Sequence, residues 1–164
     1  MHKNLKFRSD DGLEIRFFLR GNRIIIEGDS ATGKTYVWKQ LNAQNAENVY
    51  PICYENIKNN NSYEAIIKFI AQKKEMIIVI DQANDVFQLR PDFIPFIDCD
   101  KNNQYILFGR DLEIDYNLSE IATLEIKDNQ ATLNYKYPDI VRWTMVYLYS
   151  EDDKGGYHLI RLLN

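Results

Sequence analysis

The chain has 164 residues, a net charge of -4 and two cysteines, with 45% hydrophobic and 27% charged residues. At this length roughly 70% of the unfolded surface can be buried, so one domain needs no disulfide or metal staple, and the ordinary composition excludes a disordered chain. From Asp81 to Asp115 eight acids face three bases, a balance that repels a phosphodiester backbone and disfavours nucleic acid as a direct ligand.

Cys53 and Cys99 lie far apart and outside any CxxC or Cys/His array, so free buried thiols are expected. No apolar run reaches the ~18 residues of a membrane span, and Met1 to Arg8 lacks a signal-peptide core; a cytoplasmic protein without membrane partners is expected.

Taken in chain order, Leu5–Arg8 and Leu13–Leu19 predict a β-hairpin around Ser9, Asp10, Asp11 and Gly12. Arg23–Glu27, with three consecutive isoleucines, predicts a strand covered on both faces. A glycine loop follows at once, then a helix from Gly33 to about Asn45, with Val37, Trp38 and Leu41 at helical spacing. Val49–Tyr54 predicts a second short strand. The next helix should be capped by Asn61 with Glu64 and should bury Tyr63, Ile66, Ile67 and Ile70.

Met76–Ile80 is wholly apolar and ends in Asp81, the pattern of a central parallel strand. Pro91 and Pro95 limit the following segment to short helical turns. Tyr105–Phe108 predicts a fourth core strand, ending at Gly109 and Arg110. Beyond Ile121 the apolar period becomes two, and Leu124, Ile126, Leu133, Tyr135 and Tyr137 predict a hairpin around Asp128-Asn129. Ile140–Ser150 is aromatic and β-branched, and an acidic, glycine-rich stretch from Ser150 to Tyr157 reads as a surface loop.

Strands alternating with helices predict an α/β fold of three layers around a mainly parallel sheet, with ligands at the carboxyl ends of the strands. Gly28, Asp81 and Arg110 each follow a predicted strand, so one sheet edge should gather them. No linker or repeat interrupts residues 1–164, which are expected to form a single nucleotide-binding domain. Its core would run over about 23–127, and 128–164 would supply the C-terminal hairpin and tail.

Residues Gly28-Asp29-Ser30-Ala31-Thr32-Gly33-Lys34-Thr35 satisfy G-x-x-x-x-G-K-[ST] at every fixed position. Chance alone produces such a match about once in two hundred chains of this length, before the flanking strand and helix are counted. Each residue type has a task. Gly28 and Gly33 let successive N–H groups face phosphate oxygens. The helix beginning near Gly33 adds its positive end. Lys34 carries a full charge to the β and γ phosphates, Thr35 offers a hydroxyl to Mg2+, and Asp29, Ser30, Ala31 and Thr32 span the phosphates. Tyr36 and Trp38 are candidates for stacking on a base, with packing against the sheet the favoured reading for both.

These residues resemble the P-loop NTPase superfamily, with Walker A at Gly28–Thr35 and Walker B at Met76–Asp81, over about Arg23 to Arg110. The resemblance implies that Asp81 holds magnesium through water. One strand and helix, Val49 to Gln72, separate the motifs, as in the branch with an additional strand that includes AAA+, ABC and STAND ATPases. In that branch an acid beside the Walker B aspartate polarises the attacking water; here Gln82 stands there, and an amide orients water without accepting its proton. Slow hydrolysis is expected unless Asp85 or a partner's acid substitutes. Arg110 is similar to the phosphate-sensing residue of STAND proteins; its other reading is a surface pairing with Asp111 or Glu113. Arg90 and Arg142 are weaker candidates.

No N-K-x-D motif is present, which favours adenine, and neither an LSGGQ-like signature nor a helical lid is found. The expected function is an ATP-binding, magnesium-dependent switch with slow or partner-activated ATPase activity, acting on a protein partner or through self-association. A small-molecule kinase and a non-hydrolysing ATP-binding interaction module are the alternatives. The kinase would need an arginine-rich lid, for which only Arg110 lies in a suitable region, and a metabolite screen for ATP-dependent phosphorylation would identify it. In the module the N-terminal hairpin and aromatic C-terminal segment would dock another chain with ATP structural, and light scattering with and without nucleotide would address assembly.

Overall fold

A computed structural model describes residues 3–44, 46–112, 114, 119–137, 148–151 and 157–160. Its centre is set by three apolar strands: β3 (Arg23–Glu27), β5 (Ile77–Ile80) and β6 (Gln104–Phe108), buried along essentially their whole length. Their side chains alternate between two cores. Ile24, Ile26, Ile77, Val79, Ile106 and Phe108 enter one, and Ile25, Ile78, Ile80, Tyr105 and Leu107 enter the other. A strand covered on both faces has no polar side to present, which is why the sequence shows continuous apolar runs here.

The remaining elements are β1 (Lys3–Arg8), β2 (Glu14–Leu19), α1 (Lys34–Ala43), β4 (Val49–Ile52), α2 (Tyr54–Ile57), α3 (Asn60–Gln72), α4 (Ala83–Leu89), α5 (Phe93–Cys99), β7 (Glu120–Lys127), β8 (Gln130–Tyr135), β9 (Leu148–Glu151) and β10 (Tyr157–Ile160). Val37 and Leu41 of α1 join the first core, together with Ile15, Phe17 and Leu19 of β2. Helices α2 to α5 cover the other face through Ile57, Tyr63, Ile66, Ile70, Val86, Phe93 and Ile97.

Eight strands form one sheet in the order β1-β2-β8-β7-β3-β6-β5-β4. The sheet is mixed rather than mainly parallel. Strands β7, β3, β6, β5 and β4 run parallel, whereas β7 with β8 and β1 with β2 are antiparallel. The two predicted hairpins are therefore part of the sheet and not additions to it. Parallel pairing of Glu14–Arg16 with Gln130–Thr132 joins them, satisfying backbone groups that each hairpin alone would leave open at an edge. Pro51 falls in β4, the sheet's edge strand, where a missing N–H is tolerated.

Local corrections have local causes. Strand β4 ends at Ile52, and Tyr54 begins the short helix α2, with the Asn56 side chain accepting from the Cys53 N–H at 2.8 Å. Helix α3 is capped by Asn59, not Asn61, because the Asn59 side chain accepts from the Asn61 N–H at 2.8 Å. Asp128 and Asn129 both take positive φ, 50° and 58°, the two-residue turn that suits a twisted hairpin. Strands β9 and β10 pair antiparallel as a separate two-stranded sheet that sequence periodicity did not predict, so Ser150, Glu151 and Tyr157, read as ends of a surface loop, lie in strands. Residues 138–147 and 152–156, including Arg142 and most of the acidic, glycine-rich stretch, lie outside the described residues.

Cys53 is half-buried and Cys99 exposed; both are free, so the expected burial of the thiols is not found. Among the described residues no helix is long and apolar enough to cross a membrane.

Candidate functional site

Because β3, β5 and β6 are parallel, their carboxyl ends share one edge, and the segments beginning at Gly28, Asp81 and Gly109 leave the sheet there. Gly28 has φ +124° and Gly33 has φ +88°. Between them Asp29 is extended and Ser30–Thr32 make one 3-10 turn, closed by the Thr32 N–H and hydroxyl donating to the Asp29 carbonyl at 3.2 and 2.9 Å. Gly33 then serves as the N-cap of α1 and, having no side chain, places no cap on the first amides of that helix. Uncapped amides at a helix N-terminus are an anion site.

Gly33 is fixed twice over. A Cβ there would lie 2.6 Å from Cδ1 of Ile126, and its backbone is left-handed. The isoleucine tip can yield, but the backbone cannot, so Gly33→Ala is expected to cost about 1–2 kcal/mol and to lower Tm by roughly 2–8 °C in thermal unfolding.

Lys34 is buried and folds back over the loop, donating to the carbonyls of Gly28 and Asp29 at 2.5 and 2.8 Å and to Thr32 Oγ1 at 3.1 Å. Burial, then the nearby Arg110 charge, lowers its pKa, while Asp29 and Asp81 oppose that shift. Its ammonium is thus held at the loop by neutral carbonyls, for which a polyphosphate would compete with full charge.

Next in the helix, the Thr35 hydroxyl donates to Asp81 Oδ1 at 3.4 Å. Asp81 is only 5% exposed. Burial raises its pKa above the ordinary carboxylate value, against the pull of Thr35, the Gln82 amide, Lys34 and Lys39. A raised folded pKa means that the native state binds the proton more readily. The stability difference therefore falls as pH rises from the unfolded value through the folded one. At neutral pH without a cation, Asp81 costs stability. Asp81→Asn is expected to raise the Tm of the nucleotide-free protein at pH 7, with the advantage vanishing below about pH 4, where both forms are neutral. A lower Tm at pH 7 would show that the carboxylate itself holds the fold.

Gln82 is exposed and left-handed, φ 52° and ψ 47°, at the N-cap of α4. Few non-glycine residues occupy that region. Asp85 is exposed in the first turn of the same helix. Arg110 is turned to the loop: its Nε donates to the Gly28 carbonyl at 3.1 Å, and Nη2 lies 3.5 Å from Asp29 Oδ1. Glu113, one of the two acids expected to pair with Arg110 at the surface, lies outside the described residues.

Two aromatic expectations divide. Trp38 packs against the first core as expected, whereas Tyr36 is exposed and donates its hydroxyl to Asp11 in the β1–β2 turn. Gln40 donates to the same carboxylate at 3.0 Å. Arg90 is taken up structurally: it donates to the Ile57 carbonyl at 3.1 Å and to Asn60 Oδ1 at 2.5 Å, and stacks over Tyr63. Sequence reading missed Asn84, whose side-chain amide bonds the backbone of Arg110 in both directions. Only its place two residues after Gln82 signalled it.

A groove of about 710 Å³ opens elsewhere, beside β4, among Tyr50, Pro51, Glu55, Asn56 and Ile66. Its lining holds no lysine or arginine, and among the described residues no group of three or more His, Cys, Asp or Glu side chains is placed to hold a metal, there or at the loop edge. Compared with known proteins, the chain matches no family model, no curated protein and no solved structure at a significant level.

Proposed function

We propose that this chain binds a nucleoside triphosphate, preferentially ATP, with magnesium at the Gly28–Thr35 loop. It would act as a nucleotide-dependent switch whose hydrolysis is slow or partner-assisted. The observation that carries this reading is the Thr35 hydroxyl 3.4 Å from the Asp81 carboxylate, two hard oxygen donors brought together across 46 positions of sequence. Those two would hold the magnesium. Uncapped amides of α1 and the Lys34 ammonium would hold the β and γ phosphates.

The chemistry of the site fits such a ligand. A Cβ at Gly28 would lie 3.4 Å from Thr32 Cγ2 and 3.8 Å from the Lys34 ammonium, within the cradle itself. Magnesium, held by Thr35 and Asp81, would supply charge neutralisation to the terminal phosphates. Strand order supports the same reading. One strand, β6, separates the loop-bearing β3 from the aspartate-bearing β5, as in the additional-strand branch of P-loop NTPases. Chain direction also diverges at β3: its helix leads to β4 at the far edge, while β7 returns on the other side, a switch point where open α/β sheets bind ligands.

Calorimetric titration tests the reading. ATP is expected to bind one to one, more tightly with magnesium, and better than GTP. Absence of binding by either triphosphate to the folded protein would overturn it.

A further inference from the structure

Arg110 does not reach the loop by its own side chain alone. Its backbone is gripped by Asn84 of α4: the Asn84 Oδ1 accepts from the Arg110 N–H at 2.9 Å, and the Asn84 Nδ2 donates to the Arg110 carbonyl. A side-chain amide that satisfies both groups of one residue imitates a strand neighbour, and it fixes that residue's position and direction. Gly109 makes room for it, since a Cβ at that position would stand 2.7 Å from Asn84 Oδ1.

A contiguous chain of contacts results. Helix α4 begins immediately after Asp81, with left-handed Gln82 as its N-cap. Asn84 binds Arg110, and Arg110 binds the Gly28 carbonyl and faces Asp29. Gly28 also accepts from Lys34. Two cations therefore share one carbonyl at the mouth of the loop, Lys34 Nζ at 2.5 Å and Arg110 Nε at 3.1 Å, and like charges held so close repel. An anion entering between them would relieve that repulsion and draw on both cations.

We propose that Asn84 is a positioning residue that holds Arg110 at the terminal-phosphate end of the loop and ties α4 to the state of the nucleotide. This rests on the nucleotide-binding reading and adds the element that reports it. Asn84 touches no reacting atom; it acts through Arg110. A triphosphate engages Arg110 and a diphosphate does not, so the discrimination between them depends on Asn84 as well as on Arg110. Rigid coupling through two hydrogen bonds passes the difference to α4.

The test is a double-mutant cycle read as the ratio of magnesium-ATP to magnesium-ADP affinity. Arg110→Ala is expected to lower that ratio about tenfold, the scale of one charge-assisted contact. Asn84→Ala should lower it comparably, and the double variant should lose no more than either single one. Asn84→Asp, which keeps the acceptor for the Arg110 N–H and loses the donor, should fall between. Hydrogen exchange of the Arg110 amide supplies a reading independent of nucleotide: Asn84→Ala should accelerate it while amides of β6 keep their protection. An unchanged affinity ratio in Asn84→Ala, additive losses in the double variant, or an unaltered Arg110 amide would overturn the proposal with nucleotide binding intact. A wild type that binds neither nucleotide would instead overturn the reading of the loop, and this assignment with it.

Discussion

Replacing Lys34 with alanine is expected to weaken magnesium-ATP binding by about 100- to 1,000-fold while leaving the fold in place. The ammonium would contribute two charge-assisted contacts to the phosphates, each worth roughly 1.5–3 kcal/mol, and 1.4 kcal/mol is tenfold in affinity. Its present partners lose little. The carbonyl of Gly28 also accepts from Arg110, and Thr32 keeps its bond to Asp29. Stability should therefore change by no more than about 1 kcal/mol, the range of substitutions that leave no buried group unsatisfied. Lys34→Arg should not restore binding, since a planar guanidinium does not fit a site shaped by three acceptors around one nitrogen. Calorimetry on both variants, with circular dichroism as the control for folding, checks this. Full affinity in Lys34→Ala would remove the lysine from the site.

Installing a carboxylate beside Asp81 should have the opposite sign. Gln82→Glu is expected to raise ATP turnover on the order of 10- to 100-fold, below or within the usual range for a positioned general base. Gln82 is exposed and left-handed at the N-cap of α4, directly after Asp81 at the end of β5. A glutamate there could take the proton that an amide only orients. Gln82→Ala, which removes the amide without supplying a carboxylate, should give no gain, which separates base catalysis from mere loss of the amide. Wild-type turnover near the ~10 s⁻¹ typical of enzymes would contradict the assignment of Gln82, as would a Glu variant no faster than wild type.

How the chain forms its edge of chemistry is largely local information. The isoleucine run before Gly28 and the apolar run before Asp81 specify strands with two buried faces, and the loop spacing fixes which glycines must be left-handed. Partner choice is not local. Nothing in Glu14–Arg16 announces parallel pairing with Gln130–Thr132, because an alternating strand specifies its buried face and not its neighbour. The same limit hid Asn84 and the Arg110–Asp29 pairing, which depend on β5 and β6 lying side by side. Tyr36 shows a related failure. Helical spacing suggested the sheet, but a hydroxyl that finds a carboxylate in a turn 25 residues earlier is held at the surface. The Asn59 cap was missed by two residues because several asparagines compete for one helix start, and only backbone geometry chooses among them.

Amide chemical shifts recorded while magnesium-ATP is added to the intact protein test the central claim most directly. Large changes confined to Gly28–Tyr36, to Asp81–Asn84 and to Arg110 are predicted, and Lys34→Ala should abolish them at the same nucleotide concentration. Shifts that leave the loop untouched and gather instead around Tyr50, Asn56 and Ile66 beside β4 would contradict the account.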